Sequence, residues 1–245
     1  MSSSLASGIR RVSQSARRVE VANFAQEREM ATPVRSWLQA QKLLVKAEYS
    51  SPWGLCDFVG LSFDPRRVRQ RLRLRQRTAI GSILRLSLLH RIPEASDGSI
   101  TIQRLEREFV NLMDRSRLAH EIDQLVAARF IRFARHGSVH KLNGWTPLHR
   151  RILAVEVKLS RVQEALAQAR SHLRFATEVF VAFPTPLAQR VVLDRRAQLF
   201  HSAGVGILAV SDHSCTTVLR PREREFLADP ILQAHCVERF WRTAS

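Results

Sequence analysis

Two short apolar runs carry charges that a buried strand does not normally tolerate. Leu55-Cys56-Asp57-Phe58-Val59-Gly60-Leu61 and Ile152-Leu153-Ala154-Val155-Glu156-Val157-Lys158-Leu159 both have the length and composition of buried strands. Unpaired charge is costly away from water, so either the charges meet one another or the strands stay half exposed with their charges solvated. Alternation along a strand puts Glu156 and Lys158 on one face and Val155 and Val157 on the other. If Asp57 lies on the neighbouring strand, two carboxylates and one ammonium converge. Such a cluster suits a hard divalent cation and an activated water.

The chain continues in a consistent order. Ser160 is placed to cap a helix whose apolar stripe is Val162, Ala165, Leu166, Ala169 and Leu173. A strand over Glu178–Pro184, a helix over roughly Leu187–Ala203 and a strand over Val205–Val210 follow. This order of Asp57, Glu156-x-Lys158, a Gln168-Ala169 helix, a Val-Ala-x-Pro strand and a Gly-Val-Gly-Ile strand resembles the PD-(D/E)xK nuclease superfamily. Upstream, Gln26-Glu27-Arg28-Glu29-Met30 with Pro33, Val34, Trp37 and Leu38 is similar to the first helix of that fold. The resemblance covers roughly residues 20 to 67 and 148 to 220.

The resemblance implies an α/β fold, a restriction-endonuclease-like mixed central sheet flanked by helices. It also implies metal-dependent hydrolysis of phosphodiester bonds. Asp57, Glu156 and the Val157 carbonyl would hold Mg²⁺ or Mn²⁺, and Glu27 would complete the site. Glu29 and Glu48 are alternatives for that additional acid. Lys158 would orient the attacking water or stabilise charge on the phosphate. Gln168 would orient the site or contact the nucleic-acid backbone. Family members often have an aromatic residue one turn after this glutamine, where this chain has His172.

About a hundred residues separate Asp57 from Glu156, where the family usually has a modest gap, so an insertion is expected. It opens with a basic run over residues 66–77. Helical patterns follow over Thr78–His90, about Thr101–Val110, and onward from a capping Asp114. Phe130–Ala134 and Ser138–Leu142 then flank Arg135-His136-Gly137, a hairpin turn. Three helices and a basic hairpin resemble a winged helix over about residues 76–145. That resemblance would turn Arg115, Arg117, His120 and Gln124 of the third helix toward DNA. Arg132, Arg135, His136 and Lys141 would lie on or near the wing. Glu121 and Asp123 on the same helix oppose this placement, and many winged helices serve protein contacts instead. The expected organisation is a basic, disordered arm over 1–18, a nuclease-like core over 19–67 and 148–245, and the α+β insert over 68–147.

Composition narrows the partners. The 245 residues include 39 Lys and Arg against 22 Asp and Glu, a formal charge of +17. Such an excess favours a polyanion, and double-stranded DNA is the first candidate. Only Lys42, Lys46, Lys141 and Lys158 are lysines, so arginine forks dominate the basic surface. No apolar run reaches the roughly 20 residues that span a bilayer. Residues 1–18 lack acids and the apolar centre of a secretory signal, which leaves a cytosolic or nucleoid location, with an organelle transit peptide as the alternative. Cys56, Cys215 and Cys236 form no C-x-x-C pair, and there is no Gly-rich phosphate loop with G-K-[ST]. A disulfide framework, a zinc ribbon and an ATP-driven motor are therefore disfavoured.

The expected function is a Mg²⁺- or Mn²⁺-dependent nuclease whose insert helps hold the duplex, with a homodimer as one arrangement for cutting both strands. The same fold kept as a DNA-binding or regulatory protein with weak or no hydrolysis is the alternative. A winged-helix regulator with a sensing domain and an RNA-binding protein also fit the charge.

Overall fold

A computed structural model describes residues 24–51, 54–142, 147–222 and 228–244. The expected N-terminal arm lies outside these residues. The chain is a mixed α/β structure built on a six-stranded mixed sheet flanked by helices. A 3₁₀ turn (Glu27–Met30) leads into α1 (Ala31–Ala40), β1 (Leu44–Ser51) and β2 (Gly54–Phe63). After the inserted segment come β6 (His149–Val157), α6 (Val162–His172), β7 (Glu178–Pro184), α7 (Thr185–Leu193), α8 (Arg196–Ala203), β8 (Val205–Val210), β9 (Cys215–Leu219) and α9 (Pro230–Ala244). The strand order is β1-β2-β6-β7-β8-β9. Only β6–β7 and β7–β8 are parallel, each joined through helices, and the other pairs are antiparallel.

Strict alternation builds the two sides of this sheet. Leu153, Val155, Val157, Phe180, Ala182, Leu208 and Val210 pack with Met30, Val34 and Leu38 near α1. Ile152, Ala154, Val179, Val181, Ile207 and Ala209 pack with Ala165, Ala169, Ala188, Phe200 and Phe240 from α6 to α9. With both faces covered, the central strands read as unbroken apolar runs, as buried parallel strands do.

The insert comprises α2 (Pro65–Arg73), α3 (Ile83–Arg91), β3 (Ile100–Thr101), α4 (Ile102–Phe109), α5 (Arg115–Ala127), β4 (Ile131–Ala134) and β5 (Ser138–Lys141). Ser82, Thr101 and Asp114 cap α3, α4 and α5, each side chain accepting a backbone N–H from the first turn. The strands form their own sheet, β3-β5-β4, over a core that includes Leu86, Leu89, Leu105, Ile122, Leu125, Phe130 and Val139.

Two local expectations are corrected, and two elements were not foreseen. The first part of the basic run, to Arg73, lies in helix α2, because Asp64 accepts from Arg66 N at 2.8 Å and Pro65 starts the first turn. That helix straddles the boundary expected at 67/68. Ser160 does not cap α6, which begins after Arg161 in the left-handed region (φ 50°) with no side-chain cap. The single helix expected over 187–203 is two, since Asp194 takes an extended conformation and ends α7. β9 has no counterpart in the sequence pattern, because only half-buried and exposed residues compose it.

The insert and the sheet are joined at Arg71. This residue of the basic run is 1% exposed and pairs with Glu238 of α9, itself 3% exposed, at 2.9 Å for Nη2–Oε2. Arg71 also donates to the Gln76 and Thr78 carbonyls and lies over the rings of Phe130 and Trp241. α9 completes the joint, contributing Ala234 to the insert core and Val237, Phe240 and Trp241 to the sheet core.

Candidate functional site

The charges in the two apolar runs meet at the C-terminal end of β6. Phe58 pairs with Val155 and Val59 with Ala154, which brings β2 alongside β6. Asp57 Oδ2 accepts a hydrogen bond from Val157 N at 2.7 Å. Lys158 leaves the strand by donating its backbone N–H to the Ala182 carbonyl. Its Nζ lies 3.4 Å from Glu156 Oε1 and 3.6 Å from Glu27 Oε2. Glu27 Oε1 in turn accepts from Leu159 N at 3.3 Å. The group is graded from core to solvent: the side chains of Glu156, Lys158 and Glu27 are 3%, 13% and 45% exposed. The cluster therefore opens to solvent on the Glu27 side.

The electrostatics follow from that burial. Burial pushes the Asp57 carboxyl up to about 6; the Val157 N–H pulls the other way, and Glu156 and Glu27 add to the rise. Burial also opposes the Lys158 ammonium. Glu156, Glu27 and Asp57 outweigh it and hold the lysine above its ordinary value, so Lys158 stays charged.

Glu156 has a second partner. His172 Nε2, buried on α6, lies 3.1 Å from Glu156 Oε2, and Ser171 Oγ approaches His172 Nδ1 at 3.4 Å. The two oxygens of Glu156 are thus divided between a histidine and a lysine. Cys56 is a third buried neighbour. Its thiol donates to the Phe58 and Val155 carbonyls, and burial, then Glu156 and Asp57, push it well above its usual value.

Asp57, Glu156 and Glu27 are an all-oxygen carboxylate set of the kind that holds a hard divalent ion. A carboxyl raised by burial and by like charges beside it fits the same donor chemistry, since a cation relieves both. Among the described residues, however, the His, Cys, Asp and Glu ligand atoms that lie together within 4.8 Å are those of Cys56, Glu156 and His172. The expected trio of Asp57, Glu156 and Glu27 is more open than that.

Of the alternative acids, neither Glu29 nor Glu48 joins the cluster. Glu29 accepts from Ala25 N, and Glu48 is exposed on β1 at a left-handed φ of 50°. Gln168 lies on α6, with a buried Oε1 that has no hydrogen-bond partner. The contributions of His172 and Cys56 were not foreseen from the sequence. The signal for His172 was present: with Ala165 and Ala169 it falls on the buried stripe of α6, where a polar side chain needs a partner.

On the insert, Arg115, Arg117, His120 and Gln124 of α5 are exposed, as are Arg132, Arg135 and His136 of the hairpin. Arg115 approaches Glu106 at 3.4 Å and Arg132 Nε donates to His140 Nε2. Lys141 departs from expectation, being turned inward to Glu94 at 3.5 Å. Glu121 does not oppose an anionic ligand either, because it is buried against Arg85.

No described helix is long and apolar enough to cross a membrane. No family model matches the chain, and no curated protein matches it. Among solved structures it is similar to the SPO1766 protein of unknown function from Silicibacter pomeroyi, at 13% identity over 91% of this chain and 88% of that one, with a TM-score of 0.42.

Proposed function

We propose that this chain is a metal-dependent nuclease of the PD-(D/E)xK type, on a restriction-endonuclease-like fold with a winged-helix-like insert, acting on double-stranded DNA. The observation that carries the reading is the Lys158 ammonium lying between Glu156 and Glu27, beside an Asp57 tied to Val157 N. Asp57, Glu156, the Val157 carbonyl and Glu27 would hold Mg²⁺ or Mn²⁺. A bound ion of this kind offsets phosphate charge and lowers the pKa of a coordinated water.

The chain's own groups do the rest. Lys158, kept charged by three carboxylates, orients the attacking water and stabilises the extra negative charge on the phosphate. The Val157 N–H fixes one oxygen of Asp57, and no described residue hydrogen-bonds to the other. Gln168 offers an unused acceptor for a water or a backbone group. The insert supports duplex binding by its element order, α3-β3-α4-α5-β4-β5, and by the exposed basic face of α5 and the hairpin.

A second reading rests on the Glu156–His172 hydrogen bond, which occupies a carboxylate oxygen that a cation would use. By that reading the protein is a DNA-binding regulator on the same fold that does not cut. Cleavage of supercoiled plasmid and of single-stranded DNA with Mg²⁺ or Mn²⁺, against an EDTA control, separates the two. Metal-dependent cutting lost in both Glu156→Gln and Lys158→Ala is the expected result. Salt-sensitive binding without any cutting by the wild type would select the regulator.

A further inference from the structure

At the other end of β6, a cavity of about 810 Å³ opens between the starts of β6 and β7, the end of α1 and the segment after β9. Arg151 and Glu156 lie five residues apart on one strand, so the cavity sits about 16 Å from the carboxylate cluster. Its volume is within the range of small-ligand sites. Among the described residues four arginines line it, Arg150, Arg151, Arg220 and Arg222, against one acid, Glu178.

That acid is already taken. Arg151 holds Glu178 at 2.8 and 3.0 Å and also reaches Gln41 Oε1 at 3.3 Å. Among the described residues, the other three guanidinium groups are held less tightly. Arg150 is 60% exposed, with only a 3.8 Å approach to Asp64. Arg220 and Arg222 are exposed and form no ion pair with a described acid. Trp37 supplies a flat, half-buried ring in the same lining, braced edge-on against Phe180 with centroids 5.3 Å apart. Guanidinium forks match phosphate oxygens, and an indole face stacks on a nucleobase.

We propose that this cavity binds a nucleotide, with its phosphate on Arg150, Arg220 and Arg222 and its base against Trp37. The ligand chemistry is the same for a free mononucleotide and for the phosphorylated end of a strand. Because the site lies away from the carboxylate cluster, it stands whether or not the protein cuts DNA.

The test uses the full chain in EDTA, so that hydrolysis plays no part. Adenosine monophosphate, inorganic phosphate and a short oligonucleotide with or without a 5′-phosphate are titrated by calorimetry and by tryptophan fluorescence. Saturable adenosine monophosphate binding that quenches fluorescence is expected, with phosphate alone weaker. Arg220→Ala/Arg222→Ala should weaken it about tenfold without moving the melting temperature, as both side chains are exposed. Arg150→Ala is the second variant, and Trp37→Phe should lose the quench. Competition by the 5′-phosphorylated oligonucleotide, but not by its unphosphorylated form, would identify a strand end as the ligand; no competition would identify a free nucleotide. No saturable binding of any probe at millimolar concentration, or equal affinity in the arginine variants, would overturn the proposal.

Discussion

Arg71 and Glu238 form an ion pair with both side chains out of water, and it is the polar joint between insert and sheet. Glu238 Oε2 also accepts from Ile80 N at 2.8 Å, and Trp241 Nε1 donates to the Arg77 carbonyl. Removing one partner leaves the other charge buried without compensation, at a cost of about 3–5 kcal/mol. Arg71→Ala and Glu238→Ala should each lower stability by that order in urea titrations. The double variant should lose less than the two single losses added together. Strict additivity would mean that the pair is not coupled.

His172 is expected to position Glu156 rather than simply fill space. His172→Phe leaves Glu156 Oε2 buried without its partner, which costs about 1–3 kcal/mol. If the nuclease reading holds, kcat falls in His172→Phe and partly recovers in His172→Gln, which restores a donor. Urea denaturation and plasmid cleavage read the two effects separately. Equal kcat in both variants would reduce His172 to a packing role.

His149, at the start of β6, has a buried Nδ1 with no hydrogen-bond partner. Burial, helped by Arg67, lowers its pKa from 6.5 to about 4. The unfolded chain therefore takes up a proton near pH 6.5 that the folded chain refuses until about pH 4. Stability falls as pH drops through that window, by on the order of 1–2 kcal/mol after allowing for solvent screening. The difference in unfolding free energy between wild type and His149→Gln, measured from pH 7 to 4, should show this slope. A pH-independent difference would contradict it.

Basic residues of the insert should divide by where they point. Arg115→Ala, Arg117→Ala and Arg135→Ala should weaken duplex binding on all sequences and lower the salt slope by about one for each phosphate no longer neutralised. Lys141→Ala should leave binding unchanged, because its ammonium pairs with Glu94. Binding measured across a salt series distinguishes them, and a large effect at Lys141 would place the interface elsewhere.

By itself the sequence determined most of the element order. Apolar runs interrupted by turn residues and the cap at Asp114 act over a few residues, so the runs around Asp57 and Glu156, the helix after them and the hairpin near Gly137 were all legible, whereas α3 starts after Ser82 and not at Thr78. The approach of Lys158 to Glu156 followed from alternation, whereas the hydrogen bond from Val157 N to Asp57 did not. Only the tertiary structure decided which distant groups complete each environment. Arg71 reads as one more solvated arginine until α9 delivers Glu238 from 167 residues away. The choice of Glu27 over Glu29 depended on how the 3₁₀ turn docks against Leu159, and Glu156 found His172 through the packing of α6. The cavity around Trp37 and Arg220 joins segments that no local pattern connects. Burial and pairing of charge depend on groups far apart in the chain, whereas caps, turns and periodicity depend on near neighbours, and that difference in range separates what was legible from what was not.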